Sequence, residues 1–206
     1  MLVANPSTTP ATVDLHFLKP DGSEVLQPVT VPPGARRSVY VDAIAGLEGT
    51  PVATRAISTN GVPIVVERAM YWPGHFYDYE EGHSSAGSTV TSTRWAIADG
   101  ENGGARDAQT YVLIANVGPT AGQARITLMG DPTSSISPNE SQVVALPANS
   151  RVTVRAGERR VDRFGVLVES LGASPAPLVV EGSIYWSPGG RTWAAGGNLL
   201  ATPLTP

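Results

Sequence analysis

Few side chains in this sequence are of a type and spacing that could do chemistry. Glu67 and Glu181 each interrupt an apolar run, Ile64-Val-Val-Glu67 and Leu178-Val-Val-Glu181. A carboxylate inside an apolar strand is costly unless it is paired. The stretches VPPGAR and LPANSR end on Arg36 and Arg151, one arginine for each carboxylate. Arg36–Glu67 and Arg151–Glu181 are therefore expected as structural ion pairs, each buried at a sheet corner.

A second candidate is the stretch His75-Phe-Tyr-Asp-Tyr-Glu-Glu-Gly-His83. At strand period, His75, Tyr77, Tyr79, Glu81 and His83 share one face, and two histidines with a glutamate are ligands for zinc or another transition metal. The spacing is long for a compact site, so a solvent-exposed hairpin tip is the plainer reading. Together with Tyr71 and Trp72, the rings of Phe76, Tyr77 and Tyr79 offer flat apolar faces with polar edges, suited to a glycan or a protein. A binding surface predicts Tyr71 and Trp72 exposed; a spacer predicts them buried. The loop from Asp99 to Asp107 carries the oxygen ligands Asp99, Glu101 and Asp107, which suit Ca²⁺, although Gly103 occupies a position where an EF-hand loop needs Asp or Asn. Gly82-His-Ser-Ser-Ala86 is one residue from a nucleophile elbow, but the β-prone Ser88–Thr93 follows where that elbow needs a helix. No catalytic residue is assigned, and the chain is read as a non-enzyme.

These residues are carried by strands. With 22 Gly and 18 Pro in 206 residues, the chain is punctuated too often for long helices. Val13, Leu15 and Phe17 alternate with Asp14 and His16, and Ala124, Ile126 and Leu128 with Arg125 and Thr127; that period of two is the strand signal. Further strands are expected over 25–31, 37–41, 52–58 and 63–72, with counterparts over 142–146, 152–155, 164–170 and 177–186. The segment 84–94 reads as a last strand with a short linker. Charged residues make up 16% and the net charge is −4, a balance unsuited to nucleic-acid binding. There is no cysteine, hence no disulfide or thiolate chemistry, and no apolar run is long enough to span a membrane.

The sequence also repeats. VERAMYWPG at Val66 returns as VEGSIYWSPG at Val180, LVANP at Leu2 returns as LIANVG at Leu113, and the arginine corner returns at Arg151. The fold expected is all-β: two tandem immunoglobulin-like antiparallel β-sandwich domains, 1–91 and 92–206, related by this internal repeat. The second unit opens with an apolar segment from Trp95 that has no counterpart in the first, so that opening strand is expected to be truncated or supplied by another chain.

The motifs resemble a family of tandem β-domains found at the C-terminal ends of long secreted or surface proteins of environmental bacteria. The resemblance rests on a W-x-x-A-D-G opening at Trp95, Ala98, Asp99 and Gly100, a Y-x-L-x-A-N strand at Tyr111–Asn116 and a P-x-x-x-R corner at Pro147–Arg151. It continues with the PIVVERAMYW strand at Pro63–Trp72 and a tail from Trp193 to Pro206. Gly182 and Ser183 stand where the strand motif has Arg-Ala. The resemblance implies an extracellular or cell-surface location, with any export signal in a longer parent chain, and an accessory module without an established activity. The expected role is a stalk or spacer beside other domains of that parent, able to self-assemble into a homo-oligomer or filament through strand complementation. The other reading is an adhesin-like module that binds carbohydrate or protein through the aromatic tip.

Overall fold

A computed structural model describes residues 1–73, 81–130, 136, 140–157 and 162–204. The protein is all-β, with its strands in four antiparallel sheets. In chain order the strands are β1 (Leu2–Asn5), β2 (Ala11–Leu18), β3 (Glu24–Val31), β4 (Ala35–Ser38), β5 (Ala53–Ser58), β6 (Val65–Trp72) and β7 (Glu81–Ala86). They continue as β8 (Arg94–Asn102), β9 (Ala108–Asn116), β10 (Gly122–Gly130), β11 (Ser141–Leu146), β12 (Ser150–Ala156) and β13 (Asp162–Leu171). β14 (Leu178–Trp186), β15 (Ala195–Leu200) and β16 (Thr202–Pro203) complete the set.

Strand order is the same in two places. The sheet β4-β1-β6-β7 matches β12-β9-β14-β15, and β3-β2-β5 matches the first three strands of β11-β10-β13-β8-β16. The alternation read in the sequence is what buries the cores. Ala11, Val13, Leu15 and Phe17 of β2 face inward against Val3 of β1, Val31 of β3 and Leu47, while Ala124, Ile126 and Leu128 of β10 meet Val112, Ile114, Val166 and Val168. The second core is larger because β8 adds Trp95 and Ile97. The Trp95 indole is fully buried and donates to the backbone oxygens of Leu178 and Ser92.

Each sheet pair closes its corner with the same device. Asn5 and Asn116 are both buried. The Asn5 amide donates to the oxygens of Thr9, Val31 and Pro32 while its carbonyl accepts from the Ser7 amide. The Asn116 amide likewise donates to Thr120, Leu146 and Pro147, and its carbonyl accepts from Gly118. Burial without such partners would be unfavourable. The turn that follows needs a left-handed residue, supplied by Gly34 (φ 60°) in one case and Asn149 (φ 47°) in the other.

Two strand expectations shift. The strand expected over 37–41 lies at Ala35–Ser38, because its ladder partner β1 begins at Leu2, opposite Ser38, and Val41–Ala43 turns into a 3₁₀ segment. The last strand of the first half lies at Glu81–Ala86 rather than beyond Ser84. Ser88 caps its own bend, its hydroxyl donating to the Val90 oxygen and accepting the Val90 amide, a local bond that competes with strand pairing.

Candidate functional site

The first sheet pair meets the second where β6 and β7 face β9, β12, β14 and β15. Three backbone and side-chain contacts fix the approach. The turn between β2 and β3 brings the Lys19 oxygen to the Arg151 amide at 3.4 Å. Gly22 (φ 84°) lies so close that a Cβ there would stand 2.8 Å from the Ala148 oxygen. Arg55 donates to the Val117 oxygen and to Asn149 at 3.3 and 3.4 Å. Between the sheet pairs lies a cleft of about 470 Å³ lined by the β5 edge, Ile64, Val66, Ser85, Arg151 and Glu181 among others.

At its floor Glu181 accepts from Arg68 at 3.0 Å through one carboxylate oxygen and from Ser85 at 3.0 Å through the other. Both members of the ion pair keep about a quarter of their side-chain surface exposed. The pairing expected with Arg151 is therefore replaced by one with Arg68. Residues 181 and 151 lie two ladder positions apart across β9, Glu181 opposite Leu113 and Arg151 opposite Ala115, whereas Arg68 approaches the carboxylate head-on from β6. Arg151 stays half-buried in the cleft, its guanidinium pKa lowered to about 10, first by burial and then by the Arg68 charge. Arg36 and Glu67 do not pair either. Arg36 is opposite Ala4 and Glu67 opposite Leu2, and both side chains are exposed, where water solvates each charge without a partner.

Beyond the carboxylate the interface is aromatic. Tyr185 stacks on Trp193 with ring centroids 4.5 Å apart and meets Trp72 edge-on at 5.4 Å. The Trp72 indole donates to the Trp193 backbone oxygen at 2.7 Å. Gly196 makes room, since a Cβ there would stand 2.8 Å from the Tyr185 ring and 3.0 Å from Trp72. His83 lies 3.2 Å from the Tyr185 hydroxyl; burial, with help from the Arg68 charge, lowers its pKa to about 4. Burial also raises the Tyr185 pKa.

The aromatic residues singled out from the sequence thus divide. Tyr71 is 64% exposed, Trp72 belongs to the interface, and Phe76, Tyr77 and Tyr79 lie outside the described residues, as does His75. The carboxylates considered for Ca²⁺ do not converge. Asp99 and Asp107 are exposed and Glu101 is held by Arg106, and among the described residues no group of three His, Asp or Glu could hold a metal. Asp99 and Glu101 lie two residues apart in β8, but the Glu101 carboxylate is taken by Arg106, and Asp107 lies beyond the turn at Gly104, its amide donating to the Gly104 oxygen.

Sequence reading gave Arg68 and Trp193 no site role, considered Ser85 only within the rejected nucleophile elbow, and weighed His83 as a metal ligand rather than as a partner of Tyr185. One signal was there for Arg68: it is where the repeated strand changes, Arg68-Ala69 against Gly182-Ser183. Gly182 faces its own core, with Ile97 3.3 Å from where a Cβ would be, so the equivalent inward position in β6 is free to carry a cation only because a different surface covers it.

The class defined by these observations is an all-β protein of packed antiparallel sheets with a charged and aromatic interface. No family model and no curated protein matches the chain. Among solved structures it is similar to the one described as "Crystal Structure of Thermotoga maritima 1070", with 17% identity and a TM-score of 0.45 over 55% of this chain and 95% of that one. Among the described residues no helix is long and apolar enough to cross a membrane.

Proposed function

We propose that the chain is a non-enzymatic structural module, a stalk or spacer of a secreted or cell-surface bacterial protein, whose two sandwich units, 1–91 and 92–206, act as one stiff piece beside other domains. The observation that supports this reading is the interface: Glu181 is held by Arg68 and Ser85, and Trp72, Tyr185 and Trp193 interlock beside it. A spacer transmits position, which requires that its units not swivel. The Ser85 hydroxyl donates to Glu181, whose charge is already neutralised by Arg68, and His83 is engaged with Tyr185, an arrangement that supports a structural rather than a catalytic role for these groups. Small-angle scattering and NMR relaxation on the whole chain test this: a single rotational correlation time for residues of both units is expected, and independent tumbling would overturn it.

A second reading, a carbohydrate- or protein-binding module, is favoured by the exposure of Tyr71. A glycan array probed with the wild-type chain and with Tyr71→Ala separates the two. Specific signal lost in the variant would establish binding; a blank array leaves the spacer.

A further inference from the structure

We propose that the cleft between the two sheet pairs is a strand acceptor, which takes up an extended peptide carrying an indole two residues before an aliphatic side chain and adds it to the free edge of β5. The proposal takes up the expectation that the first unit's opening strand is supplied from elsewhere, and replaces self-assembly by a distinct donor segment. It begins from β5 and β13, which are equivalent by their pairing. Leu15 lies opposite Ala56 and Phe17 opposite Thr54, as Ile126 lies opposite Val168 and Leu128 opposite Val166. β13 is flanked on both sides, by β10 and β8. Among the described residues β5 pairs with β2 alone and forms the edge of its three-stranded sheet.

The cleft runs along that edge, lined by 52–56 of β5 and its approach and by Ile64 and Val66. In the second sheet pair the equivalent space is filled. Trp95 lies opposite Val168 and Ile97 opposite Val166, and the indole donates to the Leu178 oxygen at 3.0 Å. By the VERAMYW repeat, Ile64 is the counterpart of Leu178, and it lines the cleft. Where Val166 and Val168 are fully buried, Thr54 and Ala56 are partly exposed and smaller, which leaves room for the incoming indole. An edge strand with unpaired backbone groups is a template for another strand, and the side-chain pockets beside it set what is accepted.

A second copy of this chain is not the donor the geometry favours. Its own Trp95 segment is locked between β13 and β16 and would have to leave its core to be shared. The occupant is therefore an extended segment from outside residues 1–206 with the Trp-x-Ile pattern.

The experiment uses the whole chain and a fluorescein-labelled synthetic peptide with the sequence of Arg94–Asn102 as probe. Fluorescence anisotropy is expected to show saturable binding, weakened at least about tenfold when the peptide's Trp is replaced by Ala, because the indole is the largest apolar group to be buried. Hydrogen exchange, which needs no protein variant, is expected to show new protection of the Ala53–Ile57 amides on adding the peptide. Ala56→Trp, filling the slot from inside, is expected to abolish binding, with thermal unfolding confirming that the variant folds. Absence of saturable binding, binding indifferent to the Trp, protection on another edge such as β3 or β4, or a dimer that buries the β5 edge without peptide would each overturn the proposal. A dimer would lengthen the correlation time of both units alike without uncoupling them, and the other outcomes leave it nearly unchanged, so the spacer reading, which requires one shared value, stands or falls separately.

Discussion

Tyr71 and Tyr185 occupy the same place in the repeated strand, yet the first is 64% exposed and the second 6%. The same inversion holds for the carboxylate two turns of the pleat earlier, Glu67 exposed and Glu181 bonded to Arg68 and Ser85. β6 and β14 have one pattern and two environments. In β14 the inward face is closed by β8 and the outward face by β6, β7 and the aromatic cluster. In β6 the inward face beyond Val66 is covered by the second sheet pair, and the outward face meets solvent. A strand's alternation sets which residues share a face; it does not set what lies against that face.

Paired substitutions break or sharpen this comparison. The largest effect is expected at the tyrosines. Tyr185→Ala removes a ring packed against Trp72, Trp193 and Tyr111 and should cost about 3–5 kcal/mol in urea unfolding, as buried aromatic truncations do, whereas Tyr71→Ala should stay within about 0.5 kcal/mol. Equal losses would mean that the two faces are not differently covered.

The corner asparagines should behave alike instead. Asn116→Ala strips partners from the oxygens of Thr120, Leu146 and Pro147, and Asn5→Ala does the same at Thr9, Val31 and Pro32, the bonds to Leu146 and Val31 being buried and the others partly so. About 2–3 kcal/mol is expected for each, the cost of leaving buried polar groups unpaired. A difference larger than about 1 kcal/mol between them would show that the two corners are not equivalent devices.

The carboxylates should diverge again, by less. Glu181→Gln leaves Arg68 and Arg151 near each other without a neutralising charge and should destabilise by about 1–2 kcal/mol, the pair being only partly desolvated. Glu67→Gln should be neutral within about 0.5 kcal/mol. A double-mutant cycle between Arg68 and Glu181 measures the coupling directly.

The smallest effect is expected from His83. Its folded-state pKa of about 4 lies below the ordinary 6.5, so between those values the unfolded chain holds a proton that the folded chain does not. Stability from this group is complete above about pH 6.5 and declines as the pH falls toward 4. The urea midpoint should fall across that window, and His83→Gln should flatten this part of the profile. An imidazole titrating near 6.5 by NMR would contradict the burial that holds it neutral.

The fold was legible where local pattern was enough. Val13-Asp14-Leu15-His16-Phe17 names its own inward face, and the corner sequences ending on Arg36 and Arg151 mark the turns whose left-handed residues are Gly34 and Asn149. The site was legible only in part. Glu181 stood out as a carboxylate in an apolar strand, but its partner was sought in the nearest repeated arginine, within its own half of the chain. Arg68 lies in the other half, and no short-range pattern links positions that far apart. Asp99, Glu101 and Asp107 are close in sequence, yet among the described residues they form no metal-ligand group, and Glu101 pairs with Arg106.

By itself the sequence determined that the chain is strands, which residues face together along each strand, where the corners fall and that the pattern occurs twice. These follow from steric and hydrophobic rules that act over a few residues. Only the tertiary structure decided which face of each repeated strand is covered, which arginine neutralises Glu181, and that among the described residues β5 lies at a sheet edge while β13 is flanked on both sides. Those outcomes depend on how whole sheets pack, and a packed sheet has two faces and two edges whose neighbours are drawn from anywhere in the chain.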